Sequence, residues 1–319
     1  MSFVFLGTGS SVPERIVTND ELSAMVDTSD EWISRRVGVR ERRVCTTETA
    51  ADLGYRAALN ALEMANIGPG ELDMIICATI GGEMITPSTA CMVQMMLGAT
   101  CPAMDINAAC PGFLYALDTA AGFFARKKAE KVLVIGVERL SRYINWSDRG
   151  TCVIFGDGAG AVVLGAGDGY IASKLYAQGN DRFIRVTNYG GKSPFYENPV
   201  EEPLISMNGQ ETFRFAVGAM SGDLEDVISQ SGLSKDEIDW VVPHQANIRI
   251  VEAAIQKSGI APSKFCINIE RFGNTSAASI PILLDEMNRA GKLKKGEYVA
   301  FVGFGGGLTS AACIVKWGC

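Results

Sequence analysis

Apolar residues are spaced along this chain in two ways. Met74-Ile75-Ile76-Cys77-Ala78 and Lys131-Val132-Leu133-Val134-Ile135-Gly136 are nearly unbroken apolar runs. They lack the alternation of a half-exposed strand, so they predict strands covered on both faces. Between them the period becomes helical. Leu53, Ala57, Ala61 and Leu62 form one stripe within 49–66, and a second helix is predicted over about 88–97. Leu114, Leu117, Ala121 and Phe124 predict a third helix running to about Lys127. Residues 4–6 read as a first strand, followed by turn residues Gly7 to Ser11. Strands alternating with helices predict an α/β fold.

The pattern then recurs. The same spacing separates Leu62 from Ile228, Glu71-Leu72-Asp73 from Glu237-Ile238-Asp239, and Val132 from Tyr298. Each matched pair stands at the same place relative to a helix or buried strand. Two halves of similar topology are implied, residues 1–165 and 166–319. Residues 179–212, rich in Gly, Asn, Pro and Tyr, break the pattern and read as a long excursion, a lid or pocket wall.

Composition narrows the chemistry. A net charge of −7 argues against general binding to nucleic acid. No apolar run reaches the roughly 18 residues of a membrane span. The first residues, Met1 to Gly7, lack the basic start of a secretory signal. Nine cysteines without CxxC pairs suit reduced thiols in a cytosol and argue against a zinc site. One histidine, His244, leaves a single candidate for any imidazole.

Asp105-Ile106-Asn107-Ala108-Ala109-Cys110-Pro111-Gly112-Phe113 is the organising stretch. Proline favours the first helical position, so Cys110 is expected at a helix N-cap just past a strand. There the helix dipole favours a thiolate, the nucleophilic form. Cys110 maps onto Ser276 of Asn274-Thr275-Ser276-Ala277-Ala278 in the second half. His244 follows the strand Trp240 to Val242, and ligands gather beyond the C-terminal ends of strands in open α/β sheets. A thiolate, an imidazole and the Asn274 carboxamide at one seam suit attack on a thioester, with backbone N–H groups holding the oxyanion. Gly305-Gly306-Gly307 would let backbone approach a ligand. Residues 28–43 surround Trp32 with arginines, which suits an anionic ligand carrying a ring that stacks. Phe155 to Leu164 contains GxGxG, but no strand precedes it and no helix follows, so it is a weak nucleotide signal.

Together these stretches resemble β-ketoacyl-acyl-carrier-protein synthase III, a thiolase-like condensing enzyme. So do Thr28-Ser29-Asp30-Glu31-Trp32-Ile33, Pro243-His244-Gln245-Ala246-Asn247, Gly273-Asn274-Thr275-Ser276 and Phe304-Gly305-Gly306-Gly307. The resemblance implies two duplicated halves in five layers, α-β-α-β-α. It implies transfer of an acyl group from acyl-CoA to Cys110, then decarboxylative condensation with malonyl-acyl-carrier-protein, with no metal or redox cofactor.

By the same resemblance, His244 and Asn274 hold the malonyl thioester oxygen. The N–H groups of Cys110 and Gly306 form the oxyanion hole, and Phe304 shields the site. Trp32 and Arg149 flank the CoA adenine, Arg36 meets its phosphates, and Gly209 and Asn247 line the pantetheine tunnel. Arg214, Gln245, Arg249 and Lys257 form the carrier-protein contact. Thr86 replaces an aromatic that, in many members, reaches across a homodimer into the partner's acyl pocket. A smaller residue there predicts primers longer or more branched than acetyl, unless Phe195 and Tyr196 refill the space. The single histidine excludes a Cys-His-His scheme. A related acyltransferase of secondary metabolism, a cysteine thioester hydrolase and a binding protein without turnover are the rival readings.

Overall fold

The computed structural model describes residues 2–187, 194–195 and 202–319. Tyr196 and most of the middle of the 179–212 excursion lie outside the described residues. The chain begins with β1 (Ser2–Ser11) and a peripheral group, β2 (Ile16–Thr18), α1 (Asn19–Ser23), α2 (Asp30–Arg36) and β3 (Glu41–Arg43). Then come α3 (Ala50–Ala65), β4 (Met74–Ala78), α4 (Thr89–Leu97), β5 (Ala103–Ile106), α5 (Gly112–Ala125), β6 (Lys131–Glu138), α6 (Arg149–Cys152) and β7 (Gly158–Gly167). The remainder is β8 (Tyr170–Asn180), β9 (Ile184–Val186), β10 (Ile205–Met207), α7 (Gly209–Ser231), β11 (Trp240–Pro243), α8 (Ile248–Ser258), α9 (Ile269–Phe272), α10 (Ser279–Arg289), β12 (Tyr298–Gly305) and β13 (Gly307–Lys316).

Two mixed sheets carry the fold, with strand orders β1-β7-β6-β4-β5 and β11-β12-β13-β8. The second repeats the first except that the counterpart of β5 is reduced to one parallel bridge, Val241 to Phe265. Helices α3 and α7 end at matched places, each closed by a left-handed residue, Asn66 and Gly232. The apolar stripe of α3 covers one face of the first sheet. The α5 and α10 side chains fill the space between the sheets, and α7 and α8 cover the far face of the second. The result is the five-layer, thiolase-like α-β-α-β-α arrangement.

One reading of glycine is corrected by packing, and the weak GxGxG signal finds a packing role. Gly7 to Ser11 is not a turn, because β1 runs through it. A Cβ on Gly7 would lie 2.5 Å from the Ala61 carbonyl oxygen, and one on Gly9 2.3 Å from that of Ala57. Glycine there lets α3 lie directly on the strand. In β7 a Cβ on Gly160 would stand 2.6 Å from the Ile282 nitrogen, so the GxGxG serves the approach of α10. The third predicted helix also stops earlier, at Ala125 rather than Lys127.

Candidate active site

Cys110 leaves β5 through a tight turn in which Ala109 has φ +53°. The N-cap of α5 is Pro111, not Cys110, so the cysteine stands one residue before the N-cap. In the second half the left-handed residue is Ser276, φ +48°, one position off the constant spacing. The two turns are therefore similar but not superposable residue for residue.

His244 is fully buried just beyond β11, and its backbone N–H donates to the Val302 carbonyl at 2.8 Å. Its Nδ1 lies 2.7 Å from the Ser279 hydroxyl, while Nε2 is buried with no hydrogen-bond partner. Burial pushes the imidazole pKa down to about 3, so the ring is neutral. The Gln245 N–H also donates to the Ser279 oxygen, at 3.4 Å. A Ser279 O–H given to Nδ1 puts the ring proton on Nε2, facing the cavity.

Asn274 is pinned through its backbone, donating to the Ile154 carbonyl at 2.9 Å and accepting from Gly156 at 3.0 Å. Its Oδ1 accepts the Ser276 N–H at 2.8 Å. The oxygen is committed, so the carboxamide N–H groups are the ones left to offer.

Cys110, His244, Asn274 and Phe304 line one cavity of about 740 Å³. The Phe304 ring stands 5.7 Å from the imidazole in an edge arrangement. Trp32, Arg36, Arg149, Gly209, Arg214, Asn247 and Arg249 line the same cavity. Trp32 and Arg149 already stack on each other, with the guanidinium carbon 4.9 Å from the ring centre. A planar group flanked by both must part them. A second cavity of about 410 Å³ adjoins Cys110 and includes Gly306, Ile80, Leu140, Phe155, Ile184 and Ile205 in its wall.

The glycine run between β12 and β13 is a tight connection and also approaches the nucleophile. Gly305 makes the close contact: a Cβ there would lie 2.7 Å from the Cys110 nitrogen.

Several expectations change. Burial pushes the Cys110 thiol up to about 12, although the Ser276 hydroxyl pulls it back in part. Desolvation outweighs the favourable helix start, so the resting group is a thiol. Gln245 is only 1 % exposed and holds the Pro243 carbonyl at 2.7 Å, so it cannot touch a carrier protein. Lys257 is exposed on the last turn of α8, apart from the residues that line the cavity. Thr86 is exposed in the loop before α4 and lines neither cavity beside Cys110.

The sequence reading passed over two polar residues. Ser279 lies in the stretch from Gly273 to Pro281, with no role assigned to it. Glu138 ends the apolar run of β6, and a carboxylate closing a strand buried on both faces was the available signal.

A thiol, a neutral imidazole and a carboxamide in the wall of one cavity, between duplicated halves, define an acyl-transferring condensing enzyme of the thiolase type. Residues 104–179 match the family model 3-Oxoacyl-[acyl-carrier-protein (ACP)] synthase III, and residues 228–317 match the model of its C-terminal part. A Clostridium acetobutylicum protein named Beta-ketoacyl-[acyl-carrier-protein] synthase III is 49% identical over 99% of both chains. The crystal structure of 3-oxoacyl-[acyl-carrier-protein] synthase III from Aquifex aeolicus superposes with a TM-score of 0.93 at 42% identity, covering 99% of this chain and 100% of that one. The priming β-ketosynthase of the R1128 polyketide biosynthetic pathway gives a TM-score of 0.93 at 32% identity, covering 99% and 96%. The chain belongs to the 3-oxoacyl-[acyl-carrier-protein] synthase III family.

Proposed function

We propose that this protein condenses an acyl-CoA primer with malonyl-acyl-carrier-protein, initiating type II fatty-acid synthesis. The supporting observation is the shared cavity, with Cys110, His244 and Asn274 in its wall together with Trp32, Arg36 and Arg149. An acyl-CoA places its adenine by Trp32 and Arg149 and its phosphates by Arg36. Gly209 and Asn247 flank the pantetheine arm. The Cys110 sulfur attacks the thioester carbonyl, the Cys110 and Gly306 N–H groups hold the oxyanion, and CoA leaves. Malonyl-carrier-protein follows by the same tunnel. The His244 Nε2–H and the Asn274 amide donate to its thioester oxygen as carbon dioxide departs, stabilising the enolate charge. The carbanion attacks the acyl-Cys110 carbonyl and releases β-ketoacyl-carrier-protein.

The neutral imidazole suits a hydrogen-bond donor and not a base, because a pKa of about 3 gives it little affinity for a proton. Arg214, Arg249 and Lys257 supply a basic rim for an acidic carrier protein. In this reading the enzyme works as a homodimer in the cytoplasm, with Thr86 directed at the partner's acyl pocket. Primers larger than acetyl fit the second cavity beside Cys110.

Radiolabelled acetyl-CoA and isobutyryl-CoA test the reaction. A stable label on Cys110, discharged by malonyl-carrier-protein into β-ketoacyl-carrier-protein, is the expected result. Prompt loss of label to water would make the protein a thioester hydrolase, and no label at all would leave only binding.

A further inference from the structure

Gln245 follows the only histidine, and its side chain is buried in the turn that holds that histidine. Its amide nitrogen donates to the Pro243 carbonyl at 2.7 Å and to the Cys266 carbonyl at 3.4 Å, and its Oε1 accepts the Asn268 N–H at 3.1 Å. A reversed amide would set oxygen against two carbonyls and NH2 against an N–H, so these partners admit one orientation. The peptide between Pro243 and His244 is held from both sides, its carbonyl by Gln245 and its N–H by the Val302 carbonyl at 2.8 Å. The backbone N–H of Gln245 donates to the Ser279 oxygen at 3.4 Å, and that hydroxyl stands 2.7 Å from His244 Nδ1. Asn268 carries the same network onward, its side-chain amide donating to Glu286 at 2.7 Å. Ser279 and Glu286 both belong to α10, so the backbone and side-chain arms of Gln245 lead to one helix, the one that bears the imidazole's partner.

We propose that Gln245 is a positioning residue: it sets the His244 imidazole against α10, and so governs loss of carbon dioxide from the malonyl group without touching the carrier protein. The proposal rests on the condensing reaction above. In that reaction His244 serves the second half only, because backbone N–H groups hold the oxyanion of acylation. The electron pair of the breaking C–C bond passes to the thioester oxygen, which His244 and Asn274 hold. Gln245 gives and takes no proton. A misplacement of about 1 Å at such a site costs about 100-fold. A carrier-protein contact would act differently, through an exposed side chain and through affinity.

The test separates the two half-reactions on the whole protein. Gln245→Met keeps the size and removes every side-chain hydrogen bond. Gln245→Glu keeps the acceptor for Asn268 and replaces the donor to Pro243 with an oxygen. Acylation of Cys110 by radiolabelled acetyl-CoA is expected at the wild-type rate in both. Release of labelled carbon dioxide from malonyl-carrier-protein is expected to fall about 10–100-fold in kcat, with KM unchanged at low and high salt. The 15N imidazole signals of the only histidine should shift in both variants. A raised KM with unchanged kcat, abolished by salt, would return Gln245 to the docking surface and overturn the proposal. Wild-type decarboxylation overturns it too. So does an equal fall in both steps, or loss of the fold in both variants, each the sign of a merely structural role. If acetyl-CoA leaves wild-type Cys110 unlabelled, the condensing reading fails, and the imidazole signals still decide whether Gln245 places the ring.

Discussion

The Ser279 hydroxyl stands 2.7 Å from His244 Nδ1, and the opposite ring nitrogen has no partner. One residue of α10 is therefore the ring's hydrogen-bond partner among the described residues. Ser279→Ala removes that hydrogen bond and lets the other tautomer compete. Leaving a buried polar atom unpaired costs roughly 1–3 kcal/mol, or about 10–100-fold in rate. Decarboxylation of malonyl-carrier-protein should fall by that factor. Acylation of Cys110 by acyl-CoA should not change. An equal fall in both steps would show that Ser279 only supports the fold.

Keeping His244 neutral has a consequence for stability. Its folded pKa, about 3, lies below the ordinary value of 6.5. Between those values the unfolded chain holds a proton that the folded chain does not, so stability rises with pH across that window. The contribution is complete above about pH 6.5 and is lost as pH falls towards 3. His244→Gln removes this dependence. Thermal midpoints of wild type and His244→Gln should therefore draw together, or cross in favour of the variant, as the solution is acidified from pH 7 to 4. Parallel curves would mean that the buried imidazole does not titrate this way.

Glu138 has the opposite sign. Its folded pKa, about 8, lies above the ordinary 4.5, so the folded chain holds the extra proton between those values. That contribution is fully present below about pH 4.5 and is lost as pH rises through 8. Glu138→Gln should gain on the order of 4 kcal/mol relative to wild type between pH 5 and 9, measured by urea unfolding. A constant difference across that range would contradict a buried carboxyl that ionises near neutrality.

The order of elements and the meeting of Cys110, His244 and Asn274 in one cavity were legible because they rest on local signals. The apolar runs at Met74 and Lys131 give doubly covered strands, and the equal spacing from Glu71 to Glu237 exposes the duplication. What escaped depends on which element lies against which. Gly7 and Gly9 look like a turn until α3 is laid across them, and the packing role of Gly160 shows only once α10 is in place. The thiol at Cys110 was expected to ionise from its place by a helix start. The opposing cost comes from burial between two halves, which no local pattern reports. Gln245 follows His244 in sequence, yet it turns inward to Pro243 and Cys266. Ser279 and Glu138 became visible only once tertiary contacts placed them behind His244 and Cys110.

Gly305 offers a steric test of the contact between halves. A Cβ there would lie 2.7 Å from both the Cys110 nitrogen and Pro111 Cδ. Neither neighbour is the free end of a flexible side chain, so the turn carrying the nucleophile must move. Gly305→Ala should slow acylation of Cys110 at least 100-fold, comparable to losing one oxyanion donor. Circular dichroism should still report a folded chain. Gly222→Ala, on α7 away from the cavity wall, where a Cβ meets nothing within 4 Å, is the control and should acylate at close to the wild-type rate.

The basic rim divides into residues that also line the tunnel and one that does not. Arg214 and Arg249 belong to the cavity wall, so their removal affects CoA and carrier protein together. Lys257 is exposed on the last turn of α8 and stands outside that wall. A solvent-exposed charge acts on a docking partner mainly through a screened, long-range attraction. Lys257→Glu should therefore raise KM for malonyl-carrier-protein several-fold at low ionic strength and leave kcat unchanged. At about 0.5 M salt, where screening reaches only a few ångströms, the difference should vanish. Acylation by free acyl-CoA should match wild type throughout. A KM for malonyl-carrier-protein that stays at the wild-type value in low salt would remove Lys257 from the docking surface.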